Sequence, residues 1–150
     1  MTIVYLGLGS NLGDRQGYLR SAINNLSLIL TEIKESSVYE TEPQYVTNQP
    51  SFLNQVISGY TDIRPLELLN FCQNIQKKLG RTKSPLRFGP RNIDVDILSF
   101  GDLVLKTNTI EIPHPRIHER LFVLEPLHEI EPDWTCPKTG ESVKDLMQKL

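Results

Sequence analysis

GRTKSPLRFGPRNIDVDILSF, residues 80–100, joins a basic loop to an acidic strand, and the rest of the chain reads as its support. Arg81, Lys83, Arg87 and Arg91 are interrupted by Pro85, Gly89 and Pro90, which forbid a helix and leave a loop able to close over an anion. From Ile93 to Phe100 the residues are β-branched or large and apolar apart from Asp94, Asp96 and Ser99, which is a strand pattern. Asp94 and Asp96 then share a face, roughly 7 Å apart along the chain, with Ile93, Val95 and Ile97 on the other. A solvated strand face is the plain reading of an isolated Asp-x-Asp. Here Leu98 and Phe100 continue the acidic face as apolar residues, so that face is expected to enter a core, where unpaired carboxylates are costly. Two arrangements compensate them. One is Mg²⁺ which, with the four nearby cations, grips a polyphosphate for phosphoryl transfer; the other is a structural arginine–aspartate network.

Upstream of this stretch, Asp62-Ile63-Arg64-Pro65 opens a helix whose stripe is Leu66, Leu69, Cys72, Ile75 and Leu79, closing at Gly80. Phe52 to Thr61 alternates as a strand, with Phe52, Asn54, Val56, Ser58 and Tyr60 on one side. Ile33 to Thr41 reads as another strand, and Ile3 to Leu8 as the first. Between these two, Leu19, Ala22, Ile23, Leu26 and Leu30 recur at helical spacing from a cap at Asp14. The order is βαββαβ. Right-handed crossovers fold it into an α+β, ferredoxin-like four-stranded antiparallel sheet with both helices on one face. Beyond it, Gly101-Asp102 reads as a hairpin turn flanked by Leu103 to Leu105 and Thr109 to Ile112. A short helical or irregular segment follows from Pro113 to Arg120, then a buried apolar run from Leu121 to Leu127. The end is an amphipathic helix over Ser142 to Leu150 that docks Val143, Leu146, Met147 and Leu150, so the C-terminal part is a hairpin and helix extension.

The 150 residues suit one domain, 1–150, with a single good core. A net charge of −2 and a pI near 5.9 argue against general nucleic-acid binding, because the basic residues are local. Cys72 and Cys136 are too few and too far apart for a disulfide framework or a CxxC metal site, and are expected as free thiols. The amino terminus has no charged n-region before its apolar residues, and no apolar run approaches a membrane span. A cytoplasmic protein without membrane contact is expected.

Three further clusters carry possible chemistry. Gly7, Gly9 and Gly13 between a strand and a helix resemble part of a dinucleotide fingerprint, but the spacing differs and no second crossover helix follows; they are read as a tight exit from the first strand. Phe52 and Asn54 share a strand face, either as ordinary core residues or as a flat ring and an amide that stack on a heterocycle and read its edge. His114 and His118 lie four apart without the order of a zinc protease. Together with Arg116 and Arg120, His114 fits either phosphate ligation or surface charge, and Phe122 supplies a second aromatic.

Phe88-Gly89-Pro90-Arg91-Asn92-Ile93-Asp94-Val95-Asp96-Ile97, with Gly9-Ser10-Asn11-Leu12-Gly13, Tyr39-Glu40-Thr41-Glu42-Pro43, Gln49-Pro50-Ser51-Phe52-Leu53-Asn54 and Ile112-Pro113-His114-Pro115-Arg116, resembles the 6-hydroxymethyl-7,8-dihydropterin pyrophosphokinases of folate biosynthesis. The likeness covers nearly the whole chain. It implies Mg²⁺-dependent transfer of the β,γ-pyrophosphoryl group of ATP to the pterin hydroxymethyl oxygen, releasing AMP. By similarity Asp94 and Asp96 hold two Mg²⁺ ions, and Arg81 and Arg91 are the principal catalytic cations, with Lys83 and Arg87 in support. Gln73, the Ile97 backbone, His114 and Arg120 match nucleotide-side positions. The pterin is implied to lie between Phe52 and Phe122, hydrogen-bonded by Asn54 and by the backbone near Thr41, Pro43 and Gln44. ATP and the pterin are the expected partners, and a monomer is expected. Phe88 stands where tryptophan is usual in the family, Gln76 where glutamate is common, Tyr45 where many members have glycine, and Thr109 where some have arginine. A nucleotide-binding regulatory module, with ATP affinity but no turnover, is the reading from another class.

Overall fold

The computed structural model describes residues 1–43, 48–80 and 92–150. The expectations for Gln44, Tyr45, Arg81, Lys83, Arg87, Phe88 and Arg91 lie outside the described residues. Strand β1 (Thr2–Ser10) leads into helix α1 (Arg15–Leu26); β2 (Thr31–Glu35), β3 (Tyr39–Thr41) and β4 (Phe52–Thr61) follow, then α2 (Pro65–Lys78) and β5 (Asp94–Phe100). The sheet runs β2-β4-β1-β5, with β3 also paired to β4, and every pairing is antiparallel. The fold is α+β.

Local chemistry accounts for the element ends. The Asp14 side chain accepts from the Gly17 amide at 3.1 Å and caps α1. Expected to run to Leu30, that helix stops at Leu26, yet the turn beyond it still delivers Leu30 to the core. Pro65 starts α2, where its missing N–H is harmless, and Glu67 Oε1 accepts from the Arg64 amide at 3.2 Å. The buried stripe of α2 is Leu68, Cys72, Ile75 and Gln76. Leu66, expected inside, is half exposed, because a stripe through Cys72 and Ile75 extends backwards to 68 at the i−4 spacing.

Ile33 to Thr41 is two strands. The Ser36 hydroxyl accepts from the Val56 amide at 3.0 Å, and the Ser36 carbonyl accepts from the Gln55 side chain at 2.8 Å. A serine that bonds the neighbouring strand through its side chain breaks the ladder at that point.

Two cores cover the sheet. Val4, Leu6, Leu8, Leu53, Ile57, Ile93, Val95 and Ile97 meet α1 and α2 on one face. Tyr5, Val56 and Leu98 meet the C-terminal helices on the other. The register between β1 and β5 slips by one residue, from Leu6 opposite Ile97 to Tyr5 opposite Ser99. This β-bulge puts Leu98 and Ser99 on the second face and turns Phe100 back into the first core, so the acidic face continues through Leu98 but not Phe100.

Gly101 and Asp102 turn the chain out of β5. The hairpin itself is β6 (Leu105–Lys106) with β7 (Glu111–Ile112), reversed around Thr107, whose hydroxyl accepts from the Thr109 and Ile110 amides. A 3-10 turn (Ile117–Glu119), α3 (Leu121–Ile130) and α4 (Val143–Gln148) complete the second layer. The Trp134 indole N–H donates to Ser99 Oγ at 3.2 Å inside it. Val143 and Leu146 dock as expected, whereas Leu150 lies beyond α4 and is exposed. Among the described residues no helix is long and apolar enough to cross a membrane.

Candidate active site

One cross-strand row organises the second face. Tyr39 pairs with Asn54, Asn54 with Gly9, and Gly9 with Asp94. The next row joins Val56, Gly7 and Asp96. Since Gly7 and Gly9 carry no side chain, β1 forms a low floor between the amide of β4 and the carboxylates of β5, a gap of about 10 Å across two strand spacings. A Cβ on Gly9 would stand 3.3 Å from Asn54 Oδ1 and 3.8 Å from the Phe52 ring. These glycines lie inside β1, not in the turn after it. They therefore belong to a sheet surface rather than to a dinucleotide-type loop. Their spacing of two within a run of strand formers is the signal that could have found them.

Asp94 and Asp96 are half-buried neighbours on β5. Between them, the Val95 amide points off the sheet edge and donates to Gln76 Oε1 at 2.8 Å, so α2 holds the acidic strand by its backbone. Gln76, noted from sequence only as a departure, thereby has a structural part. Cys72, below the strand, has its thiol pushed up to about 12 by burial and then by the Asp96 charge, which removes it as a nucleophile. Among the described residues no three His, Cys, Asp or Glu side chains converge as a metal centre. A carboxylate pair nonetheless suits Mg²⁺, which keeps waters and takes phosphate oxygens alongside one or two acids.

His114 also meets the free edge of β5, its amide donating to the Leu98 carbonyl at 2.9 Å. Its Nδ1 accepts from the Arg116 amide at 3.1 Å, which leaves Nε2 as the donor of a neutral ring. Burial first, then Arg120 and Arg116, push this imidazole from 6.5 down to about 4. It is a neutral donor near pH 7, and Arg116 and Arg120 are the local cations. Because the folded state resists the proton, stability is expected to fall as pH drops through the 6.5–4 window, by on the order of 3 kcal/mol. Thermal melts of wild type and His114→Gln across pH 4–8 check this. The wild type should lose ground to the variant as pH falls, and parallel curves would refute the assignment.

Arg120 also sits over the Phe122 ring, 5.6 Å from its centroid, which joins an expected nucleotide residue to an expected pterin residue. Pro126, inside α3, lacks the amide that would meet the Phe122 carbonyl four residues back, so that carbonyl is without its helical donor. Thr41 and Phe122 line a cavity of about 440 Å³ together with Tyr39, Glu125 and Leu121. Asn54, 6% exposed, donates to the Thr41 hydroxyl at 2.6 Å. Phe52 pairs with Thr41 at the start of β4, and Pro43 is buried just past β3.

A latch missed from sequence ties β3 to α1. Arg15 donates to Glu40 Oε2 at 3.0 Å and to the Ser51 carbonyl at 3.1 Å, while the Ser51 hydroxyl donates to Glu40 at 2.7 Å. The Ser51 bond and then Arg15 hold the Glu40 carboxyl below the usual range. Gln73 is exposed on α2, and the Ile97 side chain is buried with the first core, leaving only its backbone for a ligand. His118 is exposed on the 3-10 turn.

Residues 5–132 match the family model described as 7,8-dihydro-6-hydroxymethylpterin-pyrophosphokinase. The chain belongs to this family. It is 47% identical over 130 residues to the 2-amino-4-hydroxy-6-hydroxymethyldihydropteridine pyrophosphokinase of Bacillus subtilis, covering 85% of this chain and 77% of that one. To the folic acid synthesis protein fol1 of Schizosaccharomyces pombe it is 41% identical over 150 residues, 99% of this chain but 20% of that protein. The chain thus spans about a fifth of the yeast relative. The solved HPPK-DHPS of Plasmodium falciparum superposes with a TM-score of 0.75 at 17% identity, over 99% of this chain and 43% of that one, which bears on the fold alone.

Proposed function

We propose that Asp94 and Asp96 hold the Mg²⁺ through which the chain carries out its family's reaction, transfer of pyrophosphate from ATP to the hydroxymethyl group of 6-hydroxymethyl-7,8-dihydropterin in folate synthesis. The observation that carries this reading is the glycine-floored row, with an amide suited to a heterocycle at one end and paired acids at the other. Its span of about 10 Å lets a ring on Asn54 direct a substituent toward a triphosphate beside β5.

On this reading Asn54 and the backbone near Thr41, Pro43 and Gln44 orient the pterin edge, while Phe52 and Phe122 stack on its faces. Gln73, the Ile97 backbone, His114 and Arg120 bind the nucleotide, and Arg81, Lys83, Arg87 and Arg91 bind its phosphates and exclude water. Two Mg²⁺ ions, when bound, neutralise triphosphate charge and fix its oxygens. Asp96 Oδ can also take the hydroxyl proton as the new bond forms. His114 is the kind of neutral N–H donor that serves a phosphate oxygen without adding charge.

The strand order β2-β4-β1-β5 with α1 and α2 on one face supports the finer description of the fold as ferredoxin-like. We also propose that residues 1–150 act as one domain, since both cores share a single sheet. We further propose that the protein is a cytoplasmic monomer. Incubation with ATP, Mg²⁺ and the hydroxymethylpterin should yield AMP and the pterin diphosphate, resolved by chromatography. Release of ADP, or ATP binding with no product, would defeat the reading.

A further inference from the structure

A single carboxylate fastens the end of β3 to the helix that carries Phe122. Tyr39 Oη donates to Glu129 Oε1 at 2.6 Å, and the Ser37 amide and hydroxyl both donate to Glu129 Oε2 at 2.9 Å. All three bonds are charge-assisted and join residues 90 to 92 apart in sequence. Their setting matters. β3 is three residues long and pairs, among the described strands, with β4 alone, too little ladder to fix its height over the sheet.

Glu129 and Phe122 are seven residues apart on α3, two turns along nearly the same stripe. Tyr39 is the register partner of Asn54, and Thr41, two residues on, takes the Asn54 hydrogen bond. Tyr39, Thr41 and Phe122 all line the same cavity. A bond between Glu129 and Tyr39 therefore fixes one wall of that cavity against the other. We infer that Glu129 is a positioning residue that sets the distance between Phe122 and β3, whose Thr41 takes the Asn54 hydrogen bond, and so the width of the slot that receives the flat ring of the substrate. This rests on the pterin seat proposed above. The groups facing this carboxylate agree with a persistent clamp: the Tyr39 hydroxyl and then the Ser37 amide hold Glu129 below its usual range, and Tyr39 itself is pushed up to about 12.

Steady-state kinetics at 25 °C, with AMP release as the signal, separate positioning from simple stabilisation. Glu129→Ala should raise KM for the pterin about 5- to 10-fold, with KM for ATP and kcat within about twofold of wild type. Glu129→Asp, one methylene short of its partners, should behave like the alanine variant. Glu129→Gln, which keeps the length and can still accept from Ser37, should return to within about threefold of wild type. Tyr39→Phe removes one hydroxyl only and should raise the pterin KM about twofold to threefold, which keeps the test alive if the Glu129 variants fail to fold. A pterin KM unchanged in every variant, with only the melting temperature lowered, would overturn the inference. If wild type itself makes no AMP from the pterin, the proposed function fails and this inference with it.

Discussion

Asp96→Asn is expected to lower kcat about 10³-fold or more while leaving the fold intact. The charge-neutral amide has almost the volume of the carboxylate, so β5 keeps its shape. That strand is held independently of the side chain, by Val95 and Ile97 in the first core and by the Gln76 bond to the Val95 amide. What disappears is one of the two anionic ligands proposed for the metal, and metal charge at a transferring phosphoryl group is worth several kcal/mol, which is about three orders of magnitude in rate. The check pairs a single-turnover AMP assay with a melting curve. Turnover near wild type in a folded variant would remove Asp96 from the metal site. A lost melting transition would instead expose a structural role for the carboxylate, and the arginine–aspartate network would then be the better reading.

The sequence was legible where one face of an element is periodic. Alternation placed Asp94 and Asp96 together, and Asn54 with Phe52, because side-chain direction in a strand depends only on parity. Parity fails at a bulge. Nothing in Ile97-Leu98-Ser99-Phe100 marks the extra residue, because the slip is defined by Tyr5 and Leu6 on the partner strand, so alternation alone puts Phe100 on the wrong face. The interruption at Ser36 had a weak local cue, two serines in a run of strand formers, whose meaning depends on Val56 and Gln55 lying opposite.

Contacts that no spacing encodes were invisible. Glu129 is an exposed residue near the end of α3, and only the packing of that helix over β3 turns it from surface charge into the partner of Ser37 and Tyr39. Gln76 and Arg15 are similar cases, polar side chains whose partners are fixed by tertiary geometry. Gly7 and Gly9 are ambiguous in sequence for a different reason. A glycine is silent about whether it bends the chain or leaves a strand bare, and only register with Asn54 and the aspartates decides.

That register also fixes what Asn54 can do, and Asn54→Leu is the second large effect. One of the two N–H groups of the amide is committed to Thr41 Oγ1, and Oδ1 lies above the Gly9 floor. The free N–H and the carbonyl oxygen remain for the edge of a heterocycle, the pairing that separates a pterin from any other flat ring. Leucine fills nearly the same space, so stacking between Phe52 and Phe122 survives. A bound pterin must then bury at least two polar atoms without partners, at about 1–3 kcal/mol each. The expected result is a fall of about 10²-fold in kcat/KM for the pterin, carried by KM, with KM for ATP within about twofold. Removing the Thr41 bond also loosens β3, so part of the loss could come through the wall rather than the amide. Thr41→Val separates the two: it cuts the same internal bond and leaves the Asn54 amide in place. If Thr41→Val alone reproduces the full loss, Asn54 acts on the protein and not on the substrate; if Thr41→Val loses about tenfold or less, the amide itself reads the ring.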